Sequence, residues 1–493
     1  MTDGNEKDAG EVLDVKVQRG ICGTLLAPFY WLKMLATETH WSFVFAVLSV
    51  YGVSQGLGKG LNRVATEYYM KDYQKLQPSA SQVYQSIVTL PWFVKPLWGL
   101  LTDVVPIMGF RRRPYFIVAG ILGVVSMLGI FSQENLGIFH ALVLLIGGSA
   151  SVAIADVTID ACVAQNSNIR PALASDMQSL CGLSSSIGSL FGFSLSGIFV
   201  HKLGPKGVYG LLSIPAGMVV LVGIVLNEPR KPGVAYKQVK EKFATAGKAM
   251  WSTLKCPVVW RPCLYMFCSL SLGFGIHEGM FYWFTDAKDG PNLSQEMVGF
   301  IFSIGSIGSL FGVILYQNVL KDYLFRNVLF YTQIFFALVG LLDLVLVLRL
   351  NLRIGVPDYA FIVIDECVTH MVSRLKWMPL LVLSAKLCPQ GIEGTFFALL
   401  MSIDNVGVLL STWGGGLMLR LLGVTRTKFD NLWLAIVLRA VMRVSPVFLL
   451  FLIPGGDPSI SLLPEEVLHI VASDDEDSEM VAFVAEDDDS ALL

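Results

Sequence analysis

The sequence predicts an all-α membrane protein whose twelve transmembrane helices form two pseudo-repeated six-helix bundles. Three observations carry that expectation. Of 493 residues, 54% are hydrophobic and only 15% charged, with a mean hydropathy of +0.61; a soluble chain carries about a quarter charged residues. Apolar runs of about 20 residues recur, the length that crosses ~30 Å of hydrocarbon. A basic stretch divides those runs six and six.

Residues 1–40 read as a cytosolic N-terminal segment, acidic at its start (Asp3, Glu6, Asp8, Glu11, Asp14). It has neither a basic start before a short apolar core nor an Arg/Ser-rich, acid-poor transit pattern. Spans are expected at 41–70, 82–103, 114–132, 139–164, 173–201 and 207–227, an N-terminal bundle over 41–227. The linker 228–259 holds Arg230, Lys231, Lys237, Lys240, Lys242, Lys248 and Lys255. A C-terminal bundle over 260–453 follows, with spans at 260–285, 296–320, 327–349, 357–387, 392–420 and 428–453. Helices are expected because a backbone in lipid must satisfy its own hydrogen bonds. The acidic tail 454–493 reads as solvated chain, ending in Asp488 and Leu492-Leu493, the spacing of a dileucine sorting signal.

Arg111, Arg112 and Arg113, with the basic linker, set orientation. Positive charge stays on the cytosolic side, which places the linker, that arginine turn and both termini there. Lys71, Lys75, Arg349, Arg353 and Arg426 lie on the opposite loops and weaken the bias. The net charge of −3 gives no basic field for nucleic acid. The eight cysteines have no metal-ligand spacing and read as free thiols.

A soft internal repeat relates Gly99 to Asp103, at the end of span two, with Gly312 to Tyr316, at the end of span eight. Ionisable residues interrupt the spans, which is costly in lipid and points to an interior cavity or to pairing between helices. They include Lys59, Arg63 and Glu67 in span one, Lys95 in span two, and Asp156 and Asp160 in span four. Others are Glu278 in span seven, Asp365, Glu366, His370, Arg374 and Lys376 in span ten, and Asp404 in span eleven. Any one of them could be a structural ion pair. Asp156 and Asp160, four apart, share a helix face at about 6 Å. Two close carboxylates suit proton binding, but Lys95 as a fixed counter-ion would argue against it. The dense glycines of Gly56-Leu-Gly58-Lys59-Gly60 read as close helix packing. No nucleophile elbow, phosphate loop or dinucleotide fingerprint is present, so neither an enzyme nor a cofactor is expected, and any transport is secondary.

Several motifs carry a resemblance. They are Tyr68-Tyr69-Met-Lys71-Asp72, Pro91-Trp92-x-x-Lys95-Pro96-x-x-Gly99, Asp103-x-x-Pro106-x-x-Gly109-x-Arg111-Arg112-Arg113, Asp156-x-x-x-Asp160, Met177-Gln178-Ser179-Leu180 and residues 387–405. In this order they resemble the folate-biopterin transporter family of the major facilitator superfamily, and the wording is most similar to its plant members. Two departures stand out: Val104 directly follows Asp103, with the glycine delayed to Gly109, and Lys59 is a cation the family pattern does not lead one to expect.

The resemblance implies a twelve-helix, two-bundle carrier that moves folates or related pterins by alternating access, in some members with a proton. Asp156 and Asp160 are expected to take the pterin edge or the proton. Arg63, Lys95, and Arg374 or Lys376 would meet carboxylates, while Tyr69, Trp92 and Tyr282 offer stacking faces. Gly99, Asp103, Arg111, Arg112, Arg113, Gly391 and Glu393 are gating or topology residues, with Asp103 latched onto the helix start near Gly391. The expected partners are a folate- or pterin-class small molecule, the bilayer and a coupled proton, with a monomer as the unit. The plasma or vacuolar membrane is favoured over the plastid. Two other readings stay open: a carrier of the same fold for an unrelated organic anion or sugar, and a non-transporting receptor or scaffold.

Overall fold

In a computed structural model of the chain, residues 21–230, 247–248, 251–321, 323–388 and 393–455 are described. Among them there is no strand, only one isolated bridge between Ile107 and Phe110. Among the described residues, eight helices are long and apolar enough to cross a membrane. One of these, Asp176–Val225, is two expected spans read through a turn at Gly204, where φ is +71° and Pro205 follows. Glycine tolerates that left-handed backbone at little cost.

The other expected spans are helical but interrupted or charged. Span two runs as Pro78–Val88, Leu90–Phe93 and Lys95–Val104, since Pro91 and Pro96 each remove a donor from the ladder. Span seven breaks between Pro257–Ser271 and His277–Asp286. The carbonyls freed by that break find partners: Gln82 donates to Gly275 at 2.6 Å and Arg443 to Gly273 at 3.3 Å. Broken backbone at membrane depth persists where protein satisfies it in this way. Span ten, Asp358–Lys386, is one helix that carries the charges anticipated in it.

Packing divides the core. One apolar cluster draws only on residues 31–226, and two draw only on residues 254–453. A fourth belongs mainly to the first half but reaches Phe281, Tyr282 and Val298 of the second. Many outward apolar side chains are more than half exposed, among them Val118, Phe139, Phe311 and Phe448, as a lipid-facing surface requires.

Small residues let spans one and five cross closely. A Cβ on Gly60 would lie 2.4 Å from the backbone of Gly192 and Phe193, and one on Gly188 would lie 2.0 Å from the Gly52 carbonyl. The glycine-rich run in span one is therefore packing. Gly60→Val is expected to cut the yield of monodisperse protein sharply, since overpacking against backbone costs about 1–3 kcal/mol or more. An unchanged size-exclusion peak would contradict it. The two glycines of the soft repeat occupy matching crossings: Gly99 packs on Val157 between spans two and four, and Gly312 on Met371 between spans eight and ten.

Candidate functional site

Between the two sets of helices lies a cavity of about 640 Å³, lined mainly by spans one, two, four, six and eleven. Span one enters it through a π-helical segment, Leu48–Leu57. Such wider turns are rare and often sit at functional sites. This one presents Tyr51 and Gln55 toward span four, where Gln55 donates to Asp156 at 2.6 Å and the Tyr51 hydroxyl donates to Asp160. Opposite them, Lys95 opens the last helical piece of span two. Its ammonium pairs with Asp156 and lies 3.3 Å from Asp160, with the Trp92 ring 5.8 Å away. The Asp156 side chain is only 7% exposed, whereas that of Asp160 is 46% exposed. So the four-residue spacing does bring the two aspartates together, with Lys95 between them as the counter-ion. The group lies beside the cavity rather than on its wall: Gln55, Trp92 and Arg63 line the cavity, and the Arg63 guanidinium is held by Glu67 at 2.5 Å.

The remaining expected site residues separate from this group. Tyr69 is fully buried within the first half, where its hydroxyl accepts from Gln74 at 3.0 Å and its ring stacks on Tyr73. Tyr282 is equally buried and donates to the Leu76 carbonyl at 3.1 Å. Neither ring lines the cavity. Lys376 donates to the Ser269 carbonyl at 3.0 Å and sits over the Phe336 ring, enclosed in the second half. Arg374 lies beside Gly312, its Nε buried without a hydrogen-bond partner. Gly391 and the side chains of Asp103 and Glu393 lie outside the described residues, so the expected latch does too. The arginine turn has a defined anchor. The backbone N–H groups of Arg111, Arg112 and Arg113 donate to the Glu228 carboxylate at 2.7–3.1 Å, and Arg113 caps the Gly223 and Ile224 carbonyls.

A second cluster was not anticipated as a site. At the end of the molecule opposite the arginine turn, Lys71 pairs with Asp286 at 2.6 Å, and Arg426 lies 3.5 Å from Asp286 while donating to the Lys71 carbonyl at 2.6 Å. His201 and Glu296 meet there as well. Somewhat deeper, Ser81 and Gln85 each donate to Glu278 at 2.8 Å, and Trp413 donates to Ser86 at 2.8 Å. Among the described residues, every such polar contact between the halves lies toward this far face. Lys71 and Arg426 are thus parts of a clasp, more than opposite-side loop charges. Asp404 was noted in span eleven without a role; it is 1% exposed and neither carboxylate oxygen has a hydrogen-bond partner.

Two helical sets that clasp at one face around a central cavity have the architecture of the major facilitator fold. A crystal structure of the nucleoside transporter NupG agrees in fold, with a TM-score of 0.60 at 14% identity over 86% of this chain and 98% of that one. The chain belongs to the BT1 family, which it matches over residues 55–466, the folate-biopterin transporter family that its motifs resemble. It is 60% identical to the probable folate-biopterin transporter 2 of Arabidopsis thaliana, over 96% of this chain and 94% of that protein. It is 32% identical to the folate-biopterin transporter of Synechocystis, over 87% and 84% respectively. The chain is accordingly a multi-pass membrane transporter for a small molecule, and not an enzyme.

Proposed function

We propose that the chain carries folates or related pterins across a membrane by alternating access. The observation that carries this reading is the Lys95, Asp156 and Asp160 group next to Trp92, which lines the central cavity, in a chain so similar to proteins named folate-biopterin transporters. A pterin edge offers adjacent N–H donors, which the exposed Asp160 carboxylate can accept, while the flat ring lies on Trp92. Lys95 keeps Asp156 compensated and holds Asp160 in place. Residues 41–227 and 260–453 are the two units that rock around this seat, with 228–259 as their cytosolic connection. A single chain encloses the cavity, so the monomer is the working unit. A coupled proton suits Asp404, enclosed without a partner, better than the aspartates that face Lys95.

The test is uptake of labelled folates and pterins by a folate-requiring host, with and without an imposed pH gradient. Asp160→Asn is expected to reduce uptake by roughly tenfold to 150-fold, the value of a hydrogen bond to a charged group, and Asp156→Asn by a similar factor. Wild-type rates in variants that reach the membrane would overturn the assignment. A wild-type chain that accumulates no folate or pterin would overturn the function.

A further inference from the structure

A helix precedes span one. Ile21–Thr39 ends at His40, where φ is +93° and the chain turns before Trp41–Val47 begins. A positive φ is uncommon for a residue with a side chain, and here the ring steadies the turn: the Ser42 N–H donates to the His40 Nδ1 at 3.2 Å. Packing fixes where the helix goes. Spans one and five run side by side in register: Gly52 meets Ser184, Gly56 meets Gly188 and Gly60 meets Gly192. That constant offset sets Val44 level with Asp176. The Trp31 indole N–H donates to the Asp176 carboxylate at 2.7 Å. A straight continuation of span one would carry Trp31 about 20 Å beyond Val44; instead its indole reaches Val44's depth. The helix therefore lies back across the end of the bundle, along the membrane plane. It is the end that carries the arginine turn, since the Asn227 N–H donates to the Ser42 hydroxyl at 3.1 Å and the next residue, Glu228, anchors that turn.

The inner face of this helix is occupied. Leu35 is 1% exposed, and Trp31, Leu32 and Ala36 pack beside it on the apolar cluster of the first half. The outer face is not. Phe29 and Tyr30 are 69% and 66% exposed, and Met34 is exposed with them, next to Lys33, Thr37 and Glu38. Aromatic rings among charged and polar groups fit neither hydrocarbon nor bulk water. They are the composition of the zone where headgroups meet acyl chains. The outer face is also continuous with the lipid-facing surface, because the exposed Trp41 and Leu48 carry it onto span one. We propose that Ile21–Thr39 is an interfacial helix, seated in the leaflet on the side of the arginine turn and tied to the first bundle by Trp31 and Asp176. Its partner is the lipid surface, with Phe29, Tyr30 and Met34 as the groups that enter it. Among the described residues its core contacts are with the first half alone, so it travels with that bundle and holds its depth while the halves move. The inference holds whatever solute is carried.

The experiment attaches a nitroxide to Tyr30→Cys and, separately, to Met34→Cys in the full-length chain, reconstituted in vesicles of phosphatidylcholine and phosphatidylserine. The chain without either substitution supplies the background from its own thiols, and a wild-type size-exclusion profile shows that each variant is folded. Collisions with oxygen, which concentrates in lipid, are compared with those of a water-soluble nickel chelate. Both labels are expected at a depth of about 5–10 Å into the boundary between headgroups and acyl chains. Chelate collisions as frequent as for a nitroxide free in water would overturn the proposal. Low collision rates with both reagents would overturn it as well, since protein would then cover the face. A further variant reads the anchors themselves. Phe29→Asp with Tyr30→Asp is expected to move the Met34→Cys label toward water by about 5 Å or more, and an unchanged depth would remove the two rings from the anchoring role.

Discussion

Lys95→Ala is expected to abolish transport and to destabilise the fold at the same time. The ammonium is the only described cation on Asp156, whose side chain is 7% exposed and whose remaining contact is the Gln55 amide. Removing one partner of a buried pair leaves an uncompensated charge and costs about 3–5 kcal/mol. The measurement is thermal unfolding in detergent alongside uptake. Lys95→Ala should melt earlier than the wild type, and Lys95→Ala with Asp156→Asn should recover most of the loss because the one carboxylate left without its cation, Asp160, is 46% exposed and solvated. Uptake should stay low in the double variant, since Asp160 has lost the cation that holds it. Lys95→Arg should fall between, because a planar guanidinium does not replace a point charge seated between two carboxylates. A single alanine variant with wild-type melting and uptake would refute the role given to this lysine.

The second large effect concerns the clasp. Asp286→Asn is expected to shift the molecule toward opening at the far face. Lys71 is held by Asp286 at 2.6 Å with its side chain 6% exposed, and its ammonium lies 5.3 Å from the Tyr68 ring and 5.8 Å from the Phe281 ring. Neutralising Asp286 removes the nearest acid from Lys71, leaving it Asp72 at 3.6 Å and the Thr285 hydroxyl at 3.1 Å, and releases Arg426 from the same carboxylate. Asp286 is 22% exposed, so solvent softens the penalty. A change of about 2 kcal/mol corresponds to a shift of roughly 30-fold between the two states. A cysteine at Ser149, on the cavity wall, should then react faster with an impermeant maleimide applied from the far face. The comparison is against the same cysteine in an otherwise wild-type chain, and equal rates would remove the clasp from the gating mechanism.

Much of the fold was legible because hydropathy and helix length are local. The turn at Gly204 and Pro205, the proline breaks in span two and the charged helix of span ten all follow from residues adjacent in sequence. Lys95, Asp156 and Asp160 were legible as a group because an intramembrane cation and a four-residue acid spacing narrow the choices. The clasp was not, since Lys71 lies 215 positions from Asp286 and 355 from Arg426. Each also resembles the loop charges that set topology. Tyr69 and Tyr282 lie away from the cavity for a different reason. Chain order alone does not fix direction around a helix, and for Tyr69 the π-helical turn Tyr69–Tyr73 changes the local register. Lys376, two positions beyond Arg374, faces into its own bundle, where Ser269 and Phe336 receive it.

The one-sided clasp also gives the molecule a mechanical advantage. With the polar contacts between the halves gathered toward one end among the described residues, each bundle can act as a lever whose fulcrum lies at that face. The arms have the length of a membrane span, ~30 Å, so a tilt of about 10° would displace their free ends by about 5 Å. That exceeds the thickness of a flat aromatic ring. A small rotation at the fulcrum is therefore enough to admit a heterocycle at the other end, without either bundle having to repack inside.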